Sequence, residues 1–138
     1  MNFSKLLLCF LLGSVTLLTS CGDDEVDPNQ ALNDRLIGDW DVESLRIDGE
    51  EFIPVGIQSF TMEYDREGPA EGEADWNITY NPNLGLAPVR IRGDYEIKNN
   101  GMEIDFDGDD LDIEIDGDEL TLEGTIEGER WEIEAERD

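Results

Sequence analysis

The strongest constraint on this chain is a repeat of period two. In Met102-Glu103-Ile104-Asp105-Phe106-Asp107, Leu111-Asp112-Ile113-Glu114-Ile115-Asp116 and Trp131-Glu132-Ile133-Glu134-Ala135-Glu136, every second side chain is apolar and its neighbour is acidic. Side chains alternate across a β-strand, so each segment predicts a strand with one buried and one wet face. Acidity on this scale, 36 Asp and Glu against nine Lys and Arg, can instead signal disorder. A disordered acidic segment, however, has no reason to hold a two-residue register.

The same reading along the chain predicts eight strands: Trp40–Asp48, Gln58–Asp65, Ala74–Tyr80, Val89–Lys98, Met102–Asp107, Leu111–Asp116, Glu119–Glu127 and Arg130–Arg137. Asn99-Asn100-Gly101, Asp107-Gly108-Asp109 and Asp116-Gly117-Asp118 supply tight turns, because Asn, Asp and Gly tolerate positive φ. In the first strand Trp40 and Val42 share one parity, Leu45 and Ile47 the other, which a bulge near Ser44-Leu45 would reconcile. Ahead of the strands, Asp27-Pro28-Asn29-Gln30 reads as a helix start, with Asp27 as cap and Gln30 completing a capping box. Leu32 and Leu36 lie on one helix face, and Gly38 ends the helix.

The N-terminus has a different character. Lys5 precedes an almost wholly apolar run from Leu6 to Leu18, which ends in Leu18-Thr19-Ser20-Cys21. The run is short and weakly flanked for a membrane-spanning helix and reads as a secretory signal. Small residues leading to a cysteine resemble the lipobox of bacterial lipoproteins, in which Cys21 would be lipidated and become the first mature residue. The chain then divides into a signal peptide over 1–20, an acidic tether over 21–27 and one β-domain over 28–138. After cleavage eight basic residues face 36 acids, a net charge of −28. Such a surface repels nucleic acid and anionic headgroups. Cys9 leaves with the signal, so no disulfide can form and stability rests on a packed core.

Consecutive hairpins of even spacing suggest an antiparallel meander. Eight strands with one apolar face can close into an up-and-down barrel or remain an open sandwich, and the pattern fits both. Gly38-Asp39-Trp40 opening the first strand, Gly93-Asp94-Tyr95-Glu96-Ile97 at mid-chain, the Leu111 and Glu119 segments, and the closing run from Trp131 to Arg137 together resemble the lipocalin-like lipoproteins of Gram-negative bacteria. The resemblance spans residues 36–138. It implies an all-β, roughly eight-stranded lipocalin-like barrel preceded by a short helix. It also implies that Trp40 sits at the closed base with an arginine of the last strand stacked over it. Parity supports Arg137 for that role. It shares a face with Trp131, Ile133 and Ala135, and in a meander it ends near the start of strand one, within reach of a cation–π contact.

The opposite end receives the loops Gly49–Ile57 and Asn81–Pro88, which carry Phe52, Ile53, Val55, Leu84 and Leu86. Apolar loops gathered at one mouth form either a portal for an apolar ligand or a plug that completes the core. Candidate lining residues are Phe60, Met62, Tyr64, Trp76, Ile78, Tyr80, Ile91, Tyr95 and Phe106.

The chain has no histidine, which excludes Ser-His-Asp and Cys-His catalysis and His-bearing zinc sites. No carboxylate pair stands out as acid and base, so no catalytic residue, cofactor or dedicated metal ligand is assigned and an enzyme is not expected. The run from Asp105 to Asp112 has oxygen ligands at alternate positions, but Asp110 stands where an EF-hand loop needs glycine. A turn with loosely held cations is the expectation. The leading functional expectation is a lipid-anchored barrel that binds or shelters a small hydrophobic ligand. The other is a solid structural or interaction module of the cell envelope whose partner would be a basic protein or a surface polymer. Gly22 is not the Asp that retains many lipoproteins at the inner membrane, and Asp23-Asp24-Glu25 looks like an acidic signal for export to the cell surface, with the periplasmic face of the outer membrane as the alternative.

Overall fold

The structure, a computed structural model, describes residues 26–138. The segment 1–20 expected to be a signal peptide, Cys21 with its expected lipidation, and residues 22–25 of the expected tether lie outside the described residues. No described helix is long and apolar enough to cross a membrane.

Helix α1 (Pro28–Leu36) starts where its capping chemistry directs. The Asp27 carboxylate accepts the Asn29 N–H at 2.9 Å, and Pro28 occupies the first turn, where a missing N–H costs nothing. The helix buries Leu32, Asn33 and Leu36. Gly38 then turns the chain with φ at +121°.

Strands β1 (Gly38–Ile47), β3 (Ile57–Arg66), β4 (Glu71–Tyr80), β5 (Val89–Lys98), β6 (Glu103–Phe106), β7 (Asp109–Asp116), β8 (Glu119–Ile126) and β9 (Glu129–Arg137) pair antiparallel in chain order. Pairing of β1 with β9 closes the sheet into an eight-stranded barrel and excludes the open sandwich. A two-residue strand β2 (Glu50–Glu51) folds back on the end of β1. Closure removes the long free edge that an open sheet of such strands would present. The acidic–apolar alternation survives in three dimensions: in β7, Leu111, Ile113 and Ile115 are buried while Asp112, Glu114 and Asp116 are exposed.

Two local features differ in detail from the sequence expectation. The bulge falls at Glu43, between the pairs Val42↔Ala135 and Ser44↔Glu134, one residue before Ser44-Leu45. Glu51 accepts the Leu45 N–H at 3.0 Å and the Ser44 hydroxyl at 2.8 Å, so β2 serves the distorted stretch of β1. Strand β4 begins at Glu71 rather than Ala74, because Gly72 is a ladder residue and not part of the turn. A Cβ there would lie 1.9 Å from the Asp65 carbonyl oxygen and 2.8 Å from the Tyr95 hydroxyl, so glycine alone permits that approach.

The two ends of the barrel are finished differently. At the base, α1 lies across the 99–101 turn and the 67–70 loop. Asn33 is fully buried and satisfied: its Nδ2 donates to the carbonyls of Gly68 and Pro69, and its Oδ1 accepts the Tyr95 hydroxyl at 2.7 Å. At the mouth the wall is uneven. Only Tyr95–Lys98 of β5 pair with β6, and the last pair of β7 with β8 is Leu111↔Gly124. The ends Val89–Arg92 of β5 and Thr125–Ile126 of β8 therefore rise past the β6–β7 turn, leaving a low rim. Gly93 lets that turn tuck in, since a Cβ there would meet Asp107 Cβ at 3.1 Å.

Candidate functional site: the low rim of the barrel mouth

The barrel interior is filled. Phe60, Met62, Tyr64, Trp76, Ile78, Tyr95 and Phe106 are all buried. Their rings pack on one another: Trp76 stacks on Phe106 with centroids 4.5 Å apart, Phe60 tilts against Trp76 at 5.7 Å, and Tyr64 meets Tyr95 edge-on at 5.4 Å. Burial pushes the Tyr64 hydroxyl far up, with the nearby Trp76 indole acting the other way, and burial pushes Tyr95 up to about 12. Both phenols therefore stay neutral across the physiological range.

Above this packed layer, at the low rim, a recess of about 190 Å³ remains. Trp76, Ile91, Phe106, Ile126 and Trp131, inward-facing residues of β4, β5, β6, β8 and β9, make its apolar lining. Three carboxylates edge it: Asp107 and Asp109 from the β6–β7 hairpin and Glu127 from the β8–β9 turn. Nε1 of Trp76 and Nε1 of Trp131 are buried and have no hydrogen-bond partner among the described residues. Both atoms are sealed from solvent, and the Trp76 indole lies beside the Tyr64 hydroxyl in the packed layer, so the recess presents the rings of these residues and not their N–H groups.

Of the nine residues expected to line a cavity, Trp76, Ile91 and Phe106 reach the recess. Phe60, Met62, Tyr64, Ile78 and Tyr95 lie in the packed core, and Tyr80 is half-buried against it. The recess also uses Ile126, Trp131 and the three acids, none of which was among those nine. Trp131 and Ile126 carried a readable signal, since both have inward parity at the mouth end of their strands. The acids carried none, because they sit at or beside turns, where alternation gives no direction.

The mouth loops divide between the two roles open to them. Phe52 and Ile53 fold down and pack against the core, closing one side. Asn81 fastens this loop through its Nδ2, which donates to the carbonyls of Pro54 and Val55 at 2.9 and 2.7 Å. Val55, Leu84, Leu86 and Val89 stay exposed around the opening.

At the other end the Arg137 guanidinium lies over the Trp40 ring, 4.3 Å from its centroid. Arg137 also donates to the Ile37 carbonyl at 3.0 Å and to the Arg35 carbonyl, and so ties β9 to the C-terminus of α1. The acidic run after Asp105 is partly neutralised from within the chain: Lys98 Nζ lies 2.8 Å from Asp105 and 3.7 Å from Asp110. This lysine bond holds the Asp105 carboxyl below its ordinary range. On the outer wall Arg90 clasps Asp75 and lowers its pKa in the same way. Among the described residues no group of three or more carboxylates is placed to hold a metal ion.

Solved structures with this architecture include a redesigned β-barrel, 15% identical over 83% of this chain and 99% of that one, with a TM-score of 0.56. A de novo designed fluorescence-activating β-barrel is 20% identical over 83% of this chain and 100% of that one, at 0.55. The siderocalin Ex-FABP, described as acting through dual ligand specificities, is 11% identical over 75% of this chain and 74% of that one, at 0.54. No family model matches the sequence, and no curated protein is significantly similar to it. The fold is thus an all-β, closed, lipocalin-like barrel preceded by a short helix.

Proposed function

We propose that this protein is a non-enzymatic, lipid-anchored envelope lipoprotein that binds the apolar part of a small ligand at the low rim of its barrel. The apolar recess at the low rim, walled by Trp76, Ile91, Phe106, Ile126 and Trp131, carries this reading. Binding pockets for whole drug-sized molecules are roughly 300–1,000 Å³, whereas about 150 Å³ suffices for a single benzene ring. At about 190 Å³ the recess therefore suits one ring system or a short branched chain. The filled interior favours a second reading, a solid interaction module with no ligand. Supporting the anchor are the signal-like segment and Cys21, with the acidic run after Gly22 favouring the cell surface over the periplasmic face. One acyl chain holds weakly, and several anchor stably.

Titration with the neutral dye N-phenyl-1-naphthylamine separates the two readings. Binding at the rim is expected to quench tryptophan emission saturably, because Trp76 and Trp131 line the recess. Ile91→Trp, which fills it, should abolish the saturable component while leaving the fold intact. Quenching that is absent or strictly linear with dye would favour the solid module. The anchor is tested independently. Cys21→Ser is expected to move the protein from the detergent-extracted membrane fraction to the soluble one, whereas an unchanged distribution would rule out lipidation at Cys21.

A further inference from the structure

One wall of the recess continues outward past the rim. At about 190 Å³ the recess seats one ring or one chain end, so the rest of a longer molecule would lie outside it. On β5 the lining residue Ile91 pairs with Trp76, and Val89, two residues nearer the mouth, pairs with Ile78. Side chains two apart on a strand share a face, so Val89 extends the inward row by about 7 Å beyond Ile91. Val89 is exposed, and so are Leu86 and Leu84 on the loop that leads into β5.

This strip differs from the remaining surface in charge. One third of the chain is charged, yet no charged residue occurs from Phe52 to Met62 or from Trp76 to Val89. Six large apolar side chains are exposed among the described residues, and four of them, Val55, Leu84, Leu86 and Val89, fall in these two runs. The other two, Val26 and Met102, lie at the base end, beside the contact of α1 with the 99–101 turn. The two mouth loops are also fastened to each other. The Asn81 backbone N–H donates to the Gly56 carbonyl at 3.1 Å, besides the side-chain bonds to Pro54 and Val55. Leu84 Cδ1 would lie 4.0 Å from a Cβ at Gly56. Apolar side chains held in the open by bonded loops, beside an apolar recess, make a surface that gains from being covered. A net charge of −27 disfavours an anionic group in whatever covers it.

Resting on the reading of the recess as a ligand site, we infer that its ligand class is neutral long-chain molecules of the fatty-alcohol kind: one end fills the recess between Trp76, Ile91 and Trp131, and the chain runs out over Val89 toward Leu86 and Leu84. Displacement of N-phenyl-1-naphthylamine by n-hexanol, n-octanol and n-decanol tests this on the purified protein. Affinity is expected to rise about twofold for each added methylene, because the strip covers the chain on one side only. Decanoate should bind at least about tenfold more weakly than decanol. The double substitution Leu86→Ser with Val89→Ser should leave hexanol unchanged and weaken decanol several-fold. It should move Tm little, since both side chains are exposed. A decanol affinity no better than that of hexanol, or an equal loss for both alcohols in the double variant, would overturn the chain strip and leave the recess standing. Decanoate binding as tightly as decanol would overturn the neutral class. A wild-type dimer in sedimentation velocity that the double variant converts to monomer would overturn the proposal by assigning the strip to a second copy of the chain. Failure of the dye itself to bind would overturn the recess and the strip together.

Discussion

The melting temperature of this protein is expected to rise by roughly 5–15 °C between about 10 mM and about 0.5 M salt. The reason lies in the strand register. Across the outer wall Glu103 faces Asp112, Asp112 faces Glu123, and Glu123 faces Glu132, one acid directly opposite the next. Lys98 and Arg46 flank the two ends of that row. A second row runs from Asp116 to Glu119, Glu136 and Asp41 with no basic residue in it. Directly opposed like charges each cost on the order of 0.2–1 kcal/mol, and the six such pairs in these rows add to a sizeable share of a marginal stability. At low salt the screening length of about 30 Å spans the whole wall, whereas at high salt it falls to a few ångströms. Screening also weakens the favourable pairs, such as Arg92 with Glu73 and Arg130 with Glu123. Those are largely exposed and worth about 0–1 kcal/mol each, and the acids outnumber the bases fourfold. Thermal scans at graded ionic strength check the sign. A melting temperature that stays flat or falls would show that the opposed acids do not govern stability. Glu123→Lys, in the middle of the first row, should raise Tm at low salt and flatten its dependence on salt.

The same alternation explains how much of the molecule was legible before any coordinates. A two-residue period under acid–apolar contrast leaves little freedom: it places Ile104, Ile113, Leu122 and Ile133 inside and their neighbours outside, whereas the choice of a closed barrel over a sandwich lies in the β1–β9 pairing, which the alternation does not encode. The helix was legible because Asp27 and Pro28 act locally. What escaped depends on partners distant in sequence. Asn33 is polar and yet wholly buried, because Gly68, Pro69 and Tyr95 satisfy it from 35 to 62 residues away. Gly72 has the look of a turn residue until the close approach of Asp65 shows why it belongs in a ladder. The recess itself arises because β6 spans four residues where β3, β4 and β5 each span ten. Unequal strand length at one rim has no signature in the alternation.

Trp40→Ala is expected to be the most damaging single substitution, costing about 3–5 kcal/mol and lowering Tm by roughly 15–25 °C. Trp40 is wholly buried, and its Nε1 donates to the Leu36 carbonyl at 2.8 Å. Truncation removes the largest core side chain at the base, strips that carbonyl of its partner and leaves Arg137 without the ring beneath it. Arg137 then keeps its bonds to the Ile37 and Arg35 carbonyls and its 3.8 Å ion pair with Asp118 but loses the ring beneath it, so α1 loses part of its hold on the barrel. The cation–π share is separable: a double-mutant cycle with Trp40→Leu and Arg137→Met should show a coupling of about 0.5–2 kcal/mol. A coupling near zero would mean that the guanidinium acts through the carbonyls and Asp118 and not through the ring. Because base and mouth lie at opposite ends of a filled interior, the damage should stay local. Below its lowered Tm, Trp40→Ala is expected to bind the neutral dye with unchanged affinity, while Ile91→Trp should lose the dye with little change in Tm. Dye affinity falling in step with stability in both variants would indicate that the recess is not a preformed feature of the rim but depends on the integrity of the whole barrel.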